Sequence, residues 1–320
     1  MLVKIEAFNP TCSIKDRIAL AMVEDAERRG LLRPGGTIVE PTTGNTGIAL
    51  SLVAAAKGYR MIVVMPEFVS EERTHMCEAF GATVVRTSAE EGIPGVLRRA
   101  EEIVASTPNA FMPDQFRNPA NPRAHRETTA REILEQTDGE LDVFVAAAGT
   151  GGTMTGVASL LKEVVPDVRV VIVEPAGSAV LSGCDPGMHR IEGIGEGFVP
   201  DVLDTDMFDE VIVVTDEQAI ETARRLAHEE GILAGISSGA NVFAALQIAA
   251  RMDGGRVVTL VPDCMLRYLS TDSSGERAGH SRGIAVSDAV AERPRADWGS
   301  HDMDGTADVA TGGDAGGWFR

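Results

Sequence analysis

Short apolar runs rich in β-branched residues alternate along most of the chain with Ala-rich or amphipathic stretches. The runs predict strands, and the stretches between them have the length of helices. Continuously apolar strands that alternate with helices are typical of parallel sheets covered on both faces. The predicted strands are Thr37–Val39, Met61–Met65, Thr83–Arg86, Val143–Ala146, Val168–Val173, Val211–Val214 and Val257–Val261, and the predicted helices include Ile18–Arg29, Ile48–Lys57, Val96–Ser106 and Gln218–Glu229.

The alternating pattern stops after Asp272. Residues Ser273–Arg320 include nine glycines and no leucine, and their acidic residues follow no period. Such a composition buries too little apolar surface to offset the entropy of ordering the chain. We therefore expect residues 273–320 to be disordered.

Composition and charge narrow the function classes. A chain of 320 residues is long enough for two domains. The net charge of −19 argues against nucleic acid and anionic membrane surfaces as partners, because both require a basic surface. The four cysteines form no CxxC pair, so we expect free thiols and no metal. No apolar run is long enough to cross a bilayer and the start does not resemble a signal peptide, so we expect a cytoplasmic protein.

The loop Asn9–Arg17 places one of only four lysines at the predicted start of a helix. Asn-Pro favours a turn, and Ser13 suits a helix N-cap with Asp16 three residues later. Lys15 would then lie in the first helical turn, where the helix dipole disfavours a cation. A neutral amine is what a Schiff-base lysine requires. A solvated surface lysine remains open from this loop alone.

Three glycine-rich turns each follow a strand or open a helix. Glu40–Gly47 combines glycines, hydroxyls and an amide at a helix start, which suits a carboxylate. Gly149–Thr153 precedes the predicted helix Met154–Glu163, and its successive N–H groups suit a monophosphate; it has no Walker lysine. Gly235–Ala240 offers serine hydroxyls that suit either a heteroaromatic nitrogen or an N-cap. Each turn alone is also compatible with a purely structural role.

Together and in this order, these four elements resemble the cysteine synthase (O-acetylserine sulfhydrylase) branch of the fold type II pyridoxal-phosphate enzymes. The resemblance runs from about Val3 to Pro262 and includes the segment His189–Pro200, HRIEGIGEGFVP. It implies an α/β fold of two domains, each with a mostly parallel sheet flanked by helices. The expected divisions are a strand and loop entering the cofactor site at 1–12, a smaller substrate-loop domain at 13–119, and a larger cofactor-phosphate domain at 120–272.

The resemblance also assigns roles to residues. It implies that Lys15 forms the Schiff base with pyridoxal 5′-phosphate and acts as the catalytic base, and that Ser237 contacts the pyridine nitrogen. The other implied cofactor contacts are Asn45 at the 3′ oxygen and Gly149, Thr150, Gly151, Gly152 and Thr153 around the phosphate. The implied contacts to the substrate carboxylate are Thr42, Thr43, Asn45, Thr46 and Gln115.

The implied reaction is a β-replacement that forms L-cysteine from O-acetyl-L-serine and sulfide through an aminoacrylate intermediate. Cystathionine β-synthase activity, or a preference for O-phosphoserine, is the alternative within the family. A non-catalytic relative is a further alternative, and a nicotinamide oxidoreductase has only the glycine-rich turns in its favour. The resemblance implies a homodimer that acts on small molecules.

Three features depart from the family pattern. Family members usually have a further segment before the strand in which this chain begins. Their late PDxGERYLS motif reads PDCMLRYLS here, so Met265 and Leu266 replace Gly-Glu in the loop Cys264–Leu266. We expect the altered loop to affect the rim of the site or the closure of the smaller domain. The tail, 273–320, has no counterpart in the family.

Overall fold

Two parallel β-sheets organise residues 1–270, the part of the chain that the computed structural model describes. The expected disorder of 273–320 lies outside the described residues. The larger sheet has the order β1-β9-β6-β7-β8 and the smaller has the order β4-β3-β2-β5. The strands are β1 (Leu2–Ile5), β2 (Thr37–Pro41), β3 (Arg60–Pro66), β4 (Thr83–Thr87), β5 (Ala110–Phe111), β6 (Val143–Ala147), β7 (Arg169–Pro175), β8 (Glu210–Val214) and β9 (Val257–Val261).

Helices connect the strands and cover both sheets. Within the described residues they are α1 (Lys15–Arg28), α2 (Asn45–Lys57), α3 (Glu71–Ala79), α4 (Gly92–Ser106), α5 (Ala120–Glu127), α6 (Thr129–Gln136), α7 (Gly152–Val164), α8 (Asp216–Glu230) and α9 (Ile236–Ala249). None of the helices in residues 1–270 combines the length and apolar character that a membrane span requires.

The central strand β6 shows why both faces of the larger sheet are covered. Its side chains alternate between the faces. Phe144 packs in one buried cluster with Val157 of α7, whereas Val145 packs in another with Ala244 of α9. A strand buried on both faces must be apolar at every position, which explains the continuous apolar runs. The two parallel sheets flanked by helices confirm the predicted fold class.

All seven predicted strands are present, with ends that differ by at most two residues. The two-residue strand β5 was not predicted, because two residues carry no readable period. The capping prediction was wrong. The helix begins at Lys15 with Ile14 as its N-cap, and Ser13 accepts a hydrogen bond from the Lys15 backbone N–H at 3.1 Å. The Asp16 carboxylate instead accepts the backbone N–H of Thr11 at 2.7 Å.

The predicted domain divisions stay a prediction, but the strands group in a related way. The strands of the smaller sheet come from residues 37–111, and four of the five strands of the larger sheet come from 143–261. Strand β1 adds to the edge of the larger sheet beside β9. The carboxyl ends of β1, β2 and β6 lead toward three of the four predicted motifs, and β9 leads into the late motif that begins at Pro262. In open α/β sheets ligands bind at these ends.

Candidate active site

One cavity brings together residues from every predicted motif. It lies where loops after β2, β6 and β9 meet the first turns of α1, α2, α7 and α9. The predicted site residues that line it are Lys15, Thr42, Thr43, Asn45, Thr46, Gln115, Gly149, Thr150, Gly151, Thr153 and Ser237. Gly152 is the one predicted site residue that does not line it. Distant parts of the chain therefore converge on one place.

The amine of Lys15 is held in an environment that favours its neutral form. Burial lowers the pKa of the Lys15 amine, and the carboxylates of Asp263 and Glu196 oppose this by raising it. Burial in turn raises the pKa of the Glu196 carboxyl, which Lys15 partly offsets. A lysine with a lowered pKa can act as a nucleophile and as a base near neutral pH.

Asp263 and Arg267 fix the side chain of Asn45. The Asn45 amide N–H donates to Asp263 Oδ2 at 2.7 Å, and the Tyr268 hydroxyl donates to the same oxygen. Arg267 donates to the Asn45 carbonyl oxygen. An asparagine amide carries two N–H donors, so one remains for a ligand. Asp263 Oδ1 is buried without a protein partner.

The substrate loop that was predicted at residues 42–46 contacts Gln115, as the resemblance implies for a shared carboxylate site. The Thr46 hydroxyl donates to Gln115 Oε1 at 2.6 Å, and the Gly44 N–H donates to the Thr42 hydroxyl at 3.1 Å. Gln115 and Thr46 are almost fully buried. This pairing fixes both side chains at one end of the cavity.

Glu40 holds the backbone at Gln115 through hydrogen bonds. Its buried carboxyl accepts the backbone N–H groups of Asp114 at 3.1 Å and Gln115 at 3.4 Å. Burial raises the pKa of the Glu40 carboxyl to about 8, although the two backbone hydrogen bonds lower it. At neutral pH the protonated form of Glu40 is therefore favoured in the folded protein.

The raised pKa of Glu40 predicts a stability that falls with pH. In the unfolded chain the carboxyl releases its proton near the ordinary glutamate pKa of 4.5, and in the folded protein near 8, so the contribution is lost as pH rises through this window. As pH rises from 5.5 to 8.5, the free energy of unfolding of the parent should fall by about 3 kcal/mol more than that of Glu40→Gln. Urea unfolding at the two pH values measures this. Glu102→Gln, at an exposed position, is the control, and equal losses in all three proteins would contradict the prediction.

The glycine-rich turn after β6 lies directly against a second loop. A Cβ built on Gly149 would come within 2.3 Å of the Gly193 carbonyl oxygen. Gly151 has a φ of +84°, and a Cβ there would come within 2.6 Å of Leu203. Only glycine fits such positions without displacing the backbone. The turn lines the cavity at the start of α7, which is where a helix can bind a phosphate through its first backbone N–H groups.

Helix α5 supports this turn from behind with two residues that sequence analysis missed. The Asn121 amide donates to the Thr150 hydroxyl at 3.0 Å, and Asn121 Oδ1 comes within 1.9 Å of a Cβ built on Gly152. Gly152 therefore makes room for Asn121, and its cofactor role stays a prediction for its backbone. His125 Nε2 lies 3.2 Å from the Thr153 hydroxyl. Burial lowers the pKa of His125 to about 3, so its ring is neutral.

Ser237 lies in the first turn of α9 and is buried at the cavity wall. Gly235 is the N-cap of this helix, and no side chain caps it. The N-cap alternative for Ser237 is therefore not what the structure has. Its contact with a pyridine nitrogen stays a prediction.

Sequence analysis also missed a group of charged residues on the cavity wall. Arg73 of α3 is 3% exposed, lies 4.7 Å from the ring centroid of Tyr268, and pairs with Glu192. It also donates to the Thr43 carbonyl at 2.8 Å. Arg73 lies in no glycine-rich motif, so no local sequence pattern indicated that it belongs to the site. Glu192 and Glu196 lie within the segment His189–Pro200, which contributes to the resemblance without assigning either residue a role.

The altered loop after β9 changes the cavity less than its position suggests. Asp263 and Tyr268 line the cavity, whereas Cys264, Met265 and Leu266 do not. Cys264 is buried and Leu266 is exposed. The substitutions thus lie behind or outside the wall that Asp263 and Tyr268 form.

Comparison with known proteins agrees with this geometry. The family model for pyridoxal-phosphate dependent enzymes matches residues 1–263. A Bacillus subtilis (strain 168) protein named probable cysteine synthase is 51% identical over 273 residues, 84% of this chain and 88% of that protein. A cysteine synthase of Staphylococcus aureus (strain Mu50) is 50% identical over 271 residues, with coverage of 84% and 87%.

Solved structures match a similar share of the chain. Cysteine synthase from Entamoeba histolytica superposes with a TM-score of 0.83 at 42% identity, covering 87% of this chain and 83% of that one. O-ureido-L-serine synthase superposes with a TM-score of 0.82 at 46% identity, covering 87% and 89%. The match over nearly all described residues, with the predicted motifs around one cavity, shows that the chain belongs to the family of pyridoxal-phosphate-dependent enzymes.

Proposed function

We propose that this chain is a cysteine synthase that forms L-cysteine from O-acetyl-L-serine and sulfide by β-replacement. The observation that carries the proposal is the buried Lys15 amine of lowered pKa, in one cavity with a glycine-rich turn and a hydroxyl-rich loop. The names of the similar Bacillus and Staphylococcus proteins support the same reaction.

The residues around the cavity fit pyridoxal 5′-phosphate. The turn at Gly149–Thr153 lines the cavity at the start of α7, and its glycines leave no room for side chains against Gly193, Leu203 and Asn121. Lys15 would hold the aldehyde carbon, Asn45 keeps one N–H donor for the 3′ oxygen, and Ser237 offers a neutral hydroxyl to the ring nitrogen. Bound pyridoxal phosphate supplies the electron-withdrawing ring that stabilises negative charge on the α-carbon of an amino acid.

The chain's own residues orient the substrate and move the proton. Thr42, Thr46 and Gln115 would bind the substrate carboxylate. Lys15 Nζ would accept the proton from the α-carbon and later return it, which its lowered pKa favours. Burial of the site would exclude water from the reacting carbon.

Charge in the cavity supports an uncharged ester as the donor. The lining residues include three carboxyl side chains (Glu192, Glu196 and Asp263) and two basic side chains, of which Lys15 has a lowered pKa and Arg73 is a cation. Arg73 already pairs with Glu192. The phosphate of O-phosphoserine carries about two negative charges at neutral pH, whereas the acetyl ester of O-acetylserine carries none. The excess of carboxylates therefore favours O-acetylserine.

A matched pair of glycine variants tests the cofactor cradle. Gly151 and Gly183 have almost the same positive φ, +84° and +83°. A Cβ on Gly151 would meet Leu203 at 2.6 Å, whereas a Cβ on Gly183 meets nothing within 4 Å. We expect both alanine variants to lose about 1 kcal/mol of stability from the positive φ, and Gly151→Ala to lose more because its Cβ would collide with Leu203. Gly151→Ala should in addition bind the cofactor at least about tenfold more weakly, as one lost hydrogen bond to a charged group predicts.

Titration of the cofactor-free variants with pyridoxal phosphate, followed by absorbance, measures this difference. Equal affinity of Gly151→Ala and Gly183→Ala would contradict the assignment of the cradle.

The experiment that tests the proposal has two parts. Borohydride reduction of the purified protein followed by peptide mass mapping should place the phosphopyridoxyl group on the peptide with Lys15. Steady-state kinetics should then give a kcat/KM for O-acetylserine well above that for O-phosphoserine, and product formation with sulfide above that with homocysteine. A cofactor on Lys15 with homocysteine as the better acceptor would favour cystathionine β-synthase, a name that a similar Helicobacter pylori structure carries. A cofactor without turnover would favour the non-catalytic alternative.

The proposal includes the two-domain division at 13–119 and 120–272, a homodimer and a cytoplasmic location, all of which the family resemblance implies. Sedimentation velocity of the purified protein tests the dimer, and a monomer at micromolar concentration would contradict it.

A further inference from the structure

Two of the four cysteines lie on neighbouring loops beside the candidate active site. Ser13 and Asp263 form an antiparallel bridge, and the Ile14 N–H donates to the Pro262 carbonyl at 2.8 Å. Antiparallel pairing places the residue before Ser13 opposite the residue after Asp263. These residues are Cys12 and Cys264. Cys264 is close enough to Cys12 to raise the pKa of the Cys12 thiol.

The backbone around both cysteines is held in place. Cys12 has a φ of +57°, and its carbonyl accepts a hydrogen bond from Arg267 at 3.1 Å. Cys264 also forms an antiparallel bridge with Ala234. The isolated bridge at Ser13 and Asp263 brings the two loops together next to both cysteines. A disulfide requires Cα atoms about 4.4–6.8 Å apart, so formation of the bond tests whether the two loops can reach this separation.

Access to the two thiols differs in a way that suits stepwise oxidation. Cys12 is partly exposed and Cys264 is buried. An oxidant in solution would reach Cys12 first, and Cys264 lies behind it as the second thiol. The remaining cysteines, Cys77 and Cys184, have no such neighbour among the described residues.

We propose that Cys12 and Cys264 are a site of reversible oxidation by hydroperoxides, where a disulfide joins the loop before Lys15 to the loop that contains Asp263. The Cys12 thiolate attacks the O–O bond of the peroxide, forming a sulfenic acid and releasing hydroxide, which takes up the proton that Cys12 lost. The Cys264 sulfur then attacks Cys12 sulfur and displaces hydroxide, which leaves as water with the Cys264 proton. Two thiols and one hydrogen peroxide thus give one disulfide and two waters, and a thiol reductant reverses the change.

The surroundings predict how this reaction depends on pH. Burial raises the pKa of the Cys12 thiol, Cys264 and Asp16 raise it further, and Arg267 opposes them. Because the thiolate is the reactive form, oxidation should become faster as pH rises above neutral. The disulfide would close a loop of about 250 residues, which restricts the unfolded chain, so the oxidised protein should melt about 5–10 °C higher.

The test uses the full-length protein with its cofactor, treated with hydrogen peroxide. Alkylation of the remaining thiols and mass spectrometry without reductant should show a Cys12–Cys264 cross-linked peptide, with two hydrogens lost. Dithiothreitol should remove it and return the melting temperature to its starting value. Cys12→Ser and Cys264→Ser should each form no such peptide. The matched variants Cys77→Ser and Cys184→Ser, which keep the pair, should form it as the parent does.

Several outcomes would overturn the inference. One is recovery of Cys12 and Cys264 as alkylated thiols after peroxide treatment. Another is sulfinic or sulfonic acid at Cys12 in place of the cross-link. These outcomes are measured on the parent protein, so the test does not depend on the folding of a serine variant. The result is independent of which reaction the enzyme catalyses.

Discussion

Replacement of Lys15 by alanine is expected to lower turnover by at least about a thousandfold, within the range that a positioned general base contributes. The proposed role gives this amine two tasks, because it would hold the cofactor aldehyde and would move the α-proton. The pKa of Lys15 is lowered mainly by burial, so removing the amine removes the neutral base that the cavity favours. Among the described residues, no other lysine lines the cavity.

The measurement combines kinetics with a covalent readout. Borohydride reduction of Lys15→Ala should leave no phosphopyridoxyl group on any lysine peptide, whereas the parent should carry one. Lys57→Ala is the matched control, since Lys57 is partly exposed and pairs with Glu27 at 2.8 Å, outside the cavity lining. A reduced adduct on another lysine, or turnover within tenfold of the parent, would contradict the assignment of Lys15.

Sequence analysis predicted the parts of the fold that follow from a repeated pattern. The strand β6 could be predicted because burial on both faces requires an apolar residue at every position. The strand β5 could not, because its two residues contain no period. Glycine-rich turns were predictable for a similar reason: close approach of backbone at Gly149 and Gly151 leaves no room for a Cβ.

The pKa of Lys15 is lowered, as expected from its sequence position, but the cause differs from the expected one. The helix dipole suggested that a cation is disfavoured in the first turn of α1, and the pKa of Lys15 is lowered, but burial is the leading cause. Burial depends on tertiary packing, which no local pattern displays. The same holds for Glu196 and Arg73, whose neighbours come from distant segments. The electrostatic interaction of Glu196 with Lys15 and the contact of Arg73 with Tyr268 exist only after folding.

Arg267 shows how much of the site depends on such a long-range contact. It is 1% exposed and donates to Asn45 Oδ1 and to the backbone carbonyls of Thr11 and Cys12. These acceptors belong to the loop before Lys15 and to the first turn of α2. Arg267 therefore joins three segments that lie far apart in sequence, and its planar guanidinium provides several donors in a fixed geometry.

Replacement of Arg267 by alanine is expected to lower the free energy of unfolding by about 3–5 kcal/mol. The variant leaves buried acceptors without donors and creates a void where a large side chain was packed. Arg267→Lys should recover only part of the loss, because an ammonium does not reproduce the fork of the guanidinium. Urea unfolding measures the effect. It should be accompanied by weaker cofactor binding, since Arg267 orients Asn45.

Arg99→Ala provides the matched control. Arg99 is 50% exposed and pairs with Glu102 on the surface of α4, so its loss should cost less than about 1 kcal/mol. If Arg267→Ala and Arg99→Ala were equally stable, the three acceptors around Arg267 would have to be satisfied by water in the folded protein. Asn45 would then be held by Asp263 alone, and the late loop after β9 would contribute to the site through Asp263 and Tyr268 only.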